Sequence, residues 1–163
     1  MSEQGEQSPT ARRAAFAAEV QARTGIDEAM IERLVHGFYG RVRADPMLGP
    51  VFEARIPDWE PHLARMCAFW SSVTLMTGRY HGRPMPAHAP LPIDAGHFDR
   101  WLGLFETTAR DVCPPAAADL FVEKSRMIAQ SLEMGIATHR GIFLGPSDRL
   151  PADAASIAAN AHG

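Results

Sequence analysis

Three histidines, His81, His88 and His97, lie within HGRPMPAHAPLPIDAGHFDRW, residues 81–101, together with four prolines and Trp101. Imidazole is the commonest protein metal ligand, so this density first raises metal chemistry. A zinc site built from all three is poorly served. The stretch has no cysteine, and its carboxylates, Asp94 and Asp99, have no recognisable ligand spacing. The prolines point to a different use: they forbid a long helix and leave about one turn around Ala87 and His88. His88 is thereby presented on a short, stiff turn, just after a helix that carries His62. That arrangement suits gripping a planar metal cofactor from one side while its other face stays open. A lone histidine in a loop is most often a solvated side chain, so residue type leaves all three as alternatives. In the same way, aromatics at helical spacing such as Tyr39 and Trp101 most often form core.

The elements that must position these residues are helical. Ser8-Pro9 caps and starts a helix that runs through an alanine-rich stretch to Arg23 and stops near Gly25, with a thin apolar face. Behind the cap Asp27, apolar residues Ile31, Leu34, Val35, Phe38 and Val42 recur at helical spacing until Asp45-Pro46 stops them. DPMLGPVF then predicts two proline-pinned turns that swing Phe52 toward the core. A long helix follows from about Asp58 to Thr77, ending at Gly78, with His62, Met66, Phe69 and Val73 down one face. After the histidine-rich loop, Asp94 starts a helix to about Val112 whose stripe is Trp101, Leu102, Phe105 and Ala109. Pro114-Pro115 opens the last helix, from about Ala116 to Arg140, where Leu120, Met127 and Met134 recur by sevens and are expected in the core. No strand and no internal repeat emerge.

The class is therefore all-α: residues 1–25 form an N-terminal extension with one helix, 26–140 a single domain, and 141–163 a small, proline-broken tail expected to be disordered. Other function classes recede. A formal net charge of -3 and the absence of basic runs leave no footprint for nucleic acid. No stretch is apolar for the roughly 18 residues that a membrane helix requires, and MSEQGEQSP lacks the character of a secretory signal, so a cytoplasmic location is expected. Cys67 and Cys113 sit far apart among apolar residues, as reduced buried thiols do. Walker and dinucleotide glycine loops are absent.

Four blocks in order, FYGRVRADPMLGPVF (38–52), WEPHLARMCAFW (59–70), YHGRPMPAH (80–88) and FDRWLGLF (98–105), resemble the group III truncated haemoglobins. The absence of any Gly-Gly pair agrees with that group, and the resemblance spans about Ile26 to Arg140. It implies a globin-like two-over-two helical sandwich around haem, with an extra N-terminal helix. The haem would be haem b, held without covalent links, since no C-x-x-C-H occurs. By the resemblance His88 is the proximal iron ligand, and His81 and His97 have no iron contact. Tyr39 is the distal tyrosine, His62 stands at the pocket entrance, and Trp101 lies on the ligand side. Phe38, Phe52, Met66, Phe69 and Tyr80 are the remaining cofactor contacts it implies. A phenolic O–H and an indole N–H can donate to a partly negative dioxygen in a dry pocket. The expected partner is dioxygen or another diatomic ligand, with an unidentified reductase for any redox cycle. Three readings stay open at this point: reversible ligand binding, an enzyme acting on peroxide, nitrite or nitric oxide, and a haem-free helical interaction module.

Overall fold

The computed structural model describes residues 5–152, and among these it forms seven α-helices and no strand. Helix α1 (Pro9–Thr24) starts where the Ser8 hydroxyl accepts from the Ala11 N–H at 3.2 Å, and it ends at Gly25, whose φ of 75° is open to glycine at little cost. Helix α2 (Glu28–Ala44) is capped by Asp27, whose carboxylate accepts from the Met30 N–H at 2.8 Å. It buries Ile31, Leu34, Val35, Phe38 and Val42, as its periodicity predicts.

The next segment differs from expectation. In place of two open turns, Gly49–Glu53 winds into a short helix, α3, with a proline in its first turn. The Asp45 carboxylate, itself held by Arg100, accepts from the N–H groups of Met47 and Leu48 and folds the chain into that turn. Helix α4 (Trp59–Leu75) likewise stops early, at a left-handed Met76 with φ 51°, before Gly78 is reached. Thr77 leaves the helix and shares a 2.7 Å hydrogen bond with Ser71. The single turn α5 (Pro84–His88) and the helices α6 (Ala95–Val112) and α7 (Pro115–His139) complete the fold.

Helix α2 packs on α4 and α6, and α6 packs on α7, so two helix pairs lie across each other, with α1 added against α4 and α7. Phe38, Trp70, Phe105 and Phe121 knit the centre, with Trp70 stacked on Phe105 at 4.9 Å and edge-on to Phe121. Little of α5 is self-supporting. It rests on α7 at Gly135, where an added Cβ would run into the Met85 thioether, and Arg140 donates to the carbonyls of Leu91 and Ile93 just beyond it.

Two expectations need correction. Met127 and Met134 are 55% and 50% exposed, so the spacing by sevens does not mark the core face of α7. That face instead carries Phe121, Val122, Ser125, Ala129 and Ile136, a helical set displaced from the methionines, which small residues such as Ala129 obscure in the sequence. The stretch after Gly141 is also docked rather than loose as far as Leu150, which is only 1% exposed. Its N–H donates to Glu133, its carbonyl accepts from Ala95, and Arg149 bridges Glu133 and Asp99, so the segment straps α6 to α7. Leu150 joins Ile93, Phe98, Ala129 and Ile136 in a second apolar cluster. Residues 153–163 of the expected tail lie outside the described residues. Leu150→Ala should lower the stability to urea unfolding by about 2–5 kcal/mol, the usual loss for a fully buried leucine; a change within about 0.5 kcal/mol, as at surface sites, would mean the strap is not part of the core.

Candidate functional site

A cavity of about 480 Å³ opens between α3, α4, α5, α6 and α7. This lies within the roughly 300–1,000 Å³ typical of small-molecule and cofactor sites. It gathers residues from α2 onward: Tyr39 from α2, Phe52 from α3, His62, Met66 and Phe69 from α4, Tyr80 from the loop, His88 from α5 and Trp101 from α6. Phe38 is the exception. It is not among the lining residues and is 2% exposed in the core, packed edge-on against Tyr39, Trp101 and Phe105. Neighbours along a helix point about 100° apart, so Tyr39 takes the cavity and Phe38 backs it.

The three histidines of the loop separate by their hydrogen bonds. His88 Nδ1 lies 2.6 Å from the Pro84 carbonyl oxygen. A carbonyl can only accept, so Nδ1 carries the proton and Nε2 is left with its lone pair on a residue that lines the cavity. The short turn creates this bond, because its first and last residues stand four apart. His97 also borders the cavity, but its ring belongs to the start of α6: Nδ1 accepts from the Asp94 N–H at 3.3 Å, and the Asp94 carboxylate accepts from the His97 N–H at 3.2 Å. This is a capping box with histidine in the usual Glu/Gln position. His81 is exposed and does not line the cavity.

Elsewhere in the lining the polar groups are few and well defined. Tyr39 is buried, and burial, with a smaller contribution from Cys67, holds its phenol far above its ordinary titration range, so it remains a donor at physiological pH. Trp101 is stacked on Phe105 at 5.4 Å and 10°, which fixes its ring plane. His62 Nε2 is buried with no hydrogen-bond partner. Burial, and then the charge of Arg65, lower the His62 imidazole to about 4, so it stays neutral through the physiological range.

Several contributors escaped the sequence reading. Ile128, Ala129 and Leu132 of α7 line the cavity where Met127 and Met134 do not. The pair Ile128 and Leu132, four apart, was the available signal. Arg55 and Arg65, both exposed, stand at the cavity as well. Trp59 is a further omission; it lies behind the lining, against Tyr39 and His62.

A partly open, largely apolar cavity with an imidazole lone pair, a neutral phenol and an orphaned imidazole nitrogen fits a planar apolar group carrying a metal at its centre. Helix order, helix pairing and the cavity together define a globin of the truncated kind. A family model described as bacterial-like globin matches residues 22–130. The chain is 32% identical over 113 residues to the group 3 truncated hemoglobin of Campylobacter jejuni, covering 66% of this chain and 89% of that protein. The crystal structure of the group III truncated hemoglobin from Campylobacter jejuni matches with a TM-score of 0.62 over 66% of this chain and 88% of that one. A group II truncated hemoglobin from Bacillus anthracis, 21% identical, matches in fold with a TM-score of 0.58, over 78% of this chain and 92% of that one. The chain thus belongs to the bacterial-like globins, as a group III truncated haemoglobin, and the family's haem-binding globin function comes with that membership. Among the described residues no helix is long and apolar enough to cross a membrane.

Proposed function

We propose that this globin holds haem b non-covalently through His88 Nε2 and binds dioxygen or another diatomic ligand reversibly. The observation that carries the binding reading is the partner of His88. Its Nδ1–H donates to the neutral Pro84 carbonyl, not to a carboxylate, so the imidazole is oriented without gaining the anionic character that a carboxylate partner confers and that peroxide cleavage exploits. When bound, the haem would supply an iron that His88 could hold through Nε2 and that could bind the diatomic ligand. Phe52, Met66, Phe69, Ile128 and Leu132 provide the apolar walls that exclude water from it. Tyr80 lines the same cavity from the loop before α5. The absence of C-x-x-C-H supports haem held without thioether links.

On the ligand, Tyr39 and Trp101 act as hydrogen-bond donors, the phenol because it cannot ionise and the indole because it can only donate. Both favour a ligand carrying partial negative charge. His62 adds a neutral imidazole whose Nε2 has no protein partner to leave, so it can turn to the ligand or away without breaking a bond.

The same His62 nitrogen favours a second reading, catalysis on peroxide, nitrite or nitric oxide, in which the neutral imidazole acts as a base and, with peroxide, takes the proton from one oxygen and passes it to the other as the O–O bond breaks. Steady-state turnover of the ferrous and ferric protein with each of the three, under one set of conditions, decides between them. Turnover no faster than that of free haem in all three is expected; sustained turnover in any one would replace binding by catalysis. A purified chain carrying no haem would end both readings.

A further inference from the structure

We propose that Trp59 is a positioning residue for the ligand side of the cavity: its indole holds the His62 ring against Tyr39 and so sets how often His62 stands in the pocket. This rests on the haem-pocket reading above and extends it to a residue outside the lining.

The first ground is an absence of other restraint. His62 Nε2 is buried without a hydrogen-bond partner, and Trp59 Nε1 is too, so at these nitrogens neither ring is pinned by a polar contact. What fixes them is ring packing. Trp59 meets His62 edge-on, with centroids 5.6 Å apart and planes at 87°, and meets Tyr39 at 5.8 Å and 57°. His62 meets Tyr39 edge-on at 5.1 Å, closing a triangle of three rings. Edge-to-face contacts of this kind are directional, because the positive rim of one ring seeks the negative face of another.

The second ground is that Trp59 is itself held from outside. Phe52 stacks along it at 6.5 Å and 26°, and the Arg43 guanidinium lies over its ring, 4.6 Å from the centroid. Arg43 in turn donates through Nε to Glu53 at 3.0 Å. An exposed ion pair at the end of α2 and α3 therefore presses on an indole, which presses on a cavity histidine that no hydrogen bond holds at Nε2. Helix spacing makes this workable, since Trp59 and His62 stand three apart on α4 and share a face.

The test is laser photolysis of the carbonmonoxy form of the haem-loaded protein, read as the bimolecular rebinding rate and as the infrared C–O stretch. Trp59→Leu should change rebinding by roughly two- to tenfold, the effect of losing an aromatic pair, and should split or shift the C–O band, which reports groups close to the ligand. In a His62→Leu background the same substitution should have no further effect on either readout. Trp59→Phe, which keeps a ring to pack edge-on, should restore the parent behaviour. If Trp59→Leu does not fold, Arg43→Gln removes the cation from the indole face at an exposed site and should move both readouts in the same direction by a smaller factor. Unchanged rates and bands in the folded variants, or equal changes with and without His62, would overturn the proposal. A parent protein with no Soret band would instead overturn the haem reading on which it stands.

Discussion

His88→Ala should leave a helical chain that purifies with little or no Soret absorbance. The structure ties this to a single nitrogen. Among the cavity's histidines only His88 has its Nδ1 proton committed to a carbonyl, Pro84 O, while its Nε2 remains unengaged. Truncating it would remove the nitrogen proposed to hold the iron and leave a void that added imidazole can occupy, so His88→Gly supplied with imidazole should regain much of the Soret band. His97→Ala provides the contrast. It gives up half of the capping box at the start of α6, a loss of about 1 kcal/mol in helix stability, and should keep its haem. Haem retention in His88→Ala together with haem loss in His97→Ala would reverse the choice of ligand. Visible spectra of the purified variants at equal protein concentration are enough to decide.

Tyr39→Phe and Trp101→Phe should each release dioxygen faster. Removing a hydrogen bond to a partly charged acceptor costs about 1.5–3 kcal/mol, which corresponds to roughly a ten- to hundredfold rise in the dissociation rate. Tyr39→Phe spares the packing, since the ring can still meet Phe52 at 5.8 Å, whereas a phenylalanine at 101 can still stack on Phe105 but gives up one of the indole's two rings. The effects should not add fully, because two donors to one small ligand share its acceptor lone pairs. Stopped-flow displacement of dioxygen by carbon monoxide measures the rates. Parent-like rates in both variants would remove hydrogen bonding as the source of ligand retention.

Much of this site could be read from residue types because proline and capping residues punctuate the chain strongly. Pro84, Pro86, Pro90 and Pro92 could not have belonged to a long helix, and Asp27 and Asp94 cap helices where expected. Which histidine served which role was not legible from spacing, and the resemblance supplied that choice. The hydrogen bonds of His88 and His97, which separate the two physically, depend on backbone atoms whose positions no residue type announces. The α7 wall was missed for a different reason. Methionines at 127 and 134 look like an apolar stripe, while the real one is interrupted by Ser125 and Ala129, small residues that a tightly packed helix tolerates. Phe38 and Tyr39 show the limit of a one-residue difference: both are buried aromatics, and only the turn of α2 assigns one to the cavity and the other behind it.

The strap formed after Gly141 bears on when the pocket can be completed. Leu150 shares a cluster with Ile93 and Phe98, both of which line the cavity, and the Ala95 N–H at the start of α6 is bonded to its carbonyl. On the ribosome, domains fold as units while the chain emerges from its N-terminus. A nascent chain that has released α7 but still holds residue 150 in the exit tunnel has every histidine of the site yet lacks the piece that locks the wall behind them. Firm capture of the cofactor therefore waits for a stretch that contributes no residue to the cavity lining to leave the tunnel and take its place.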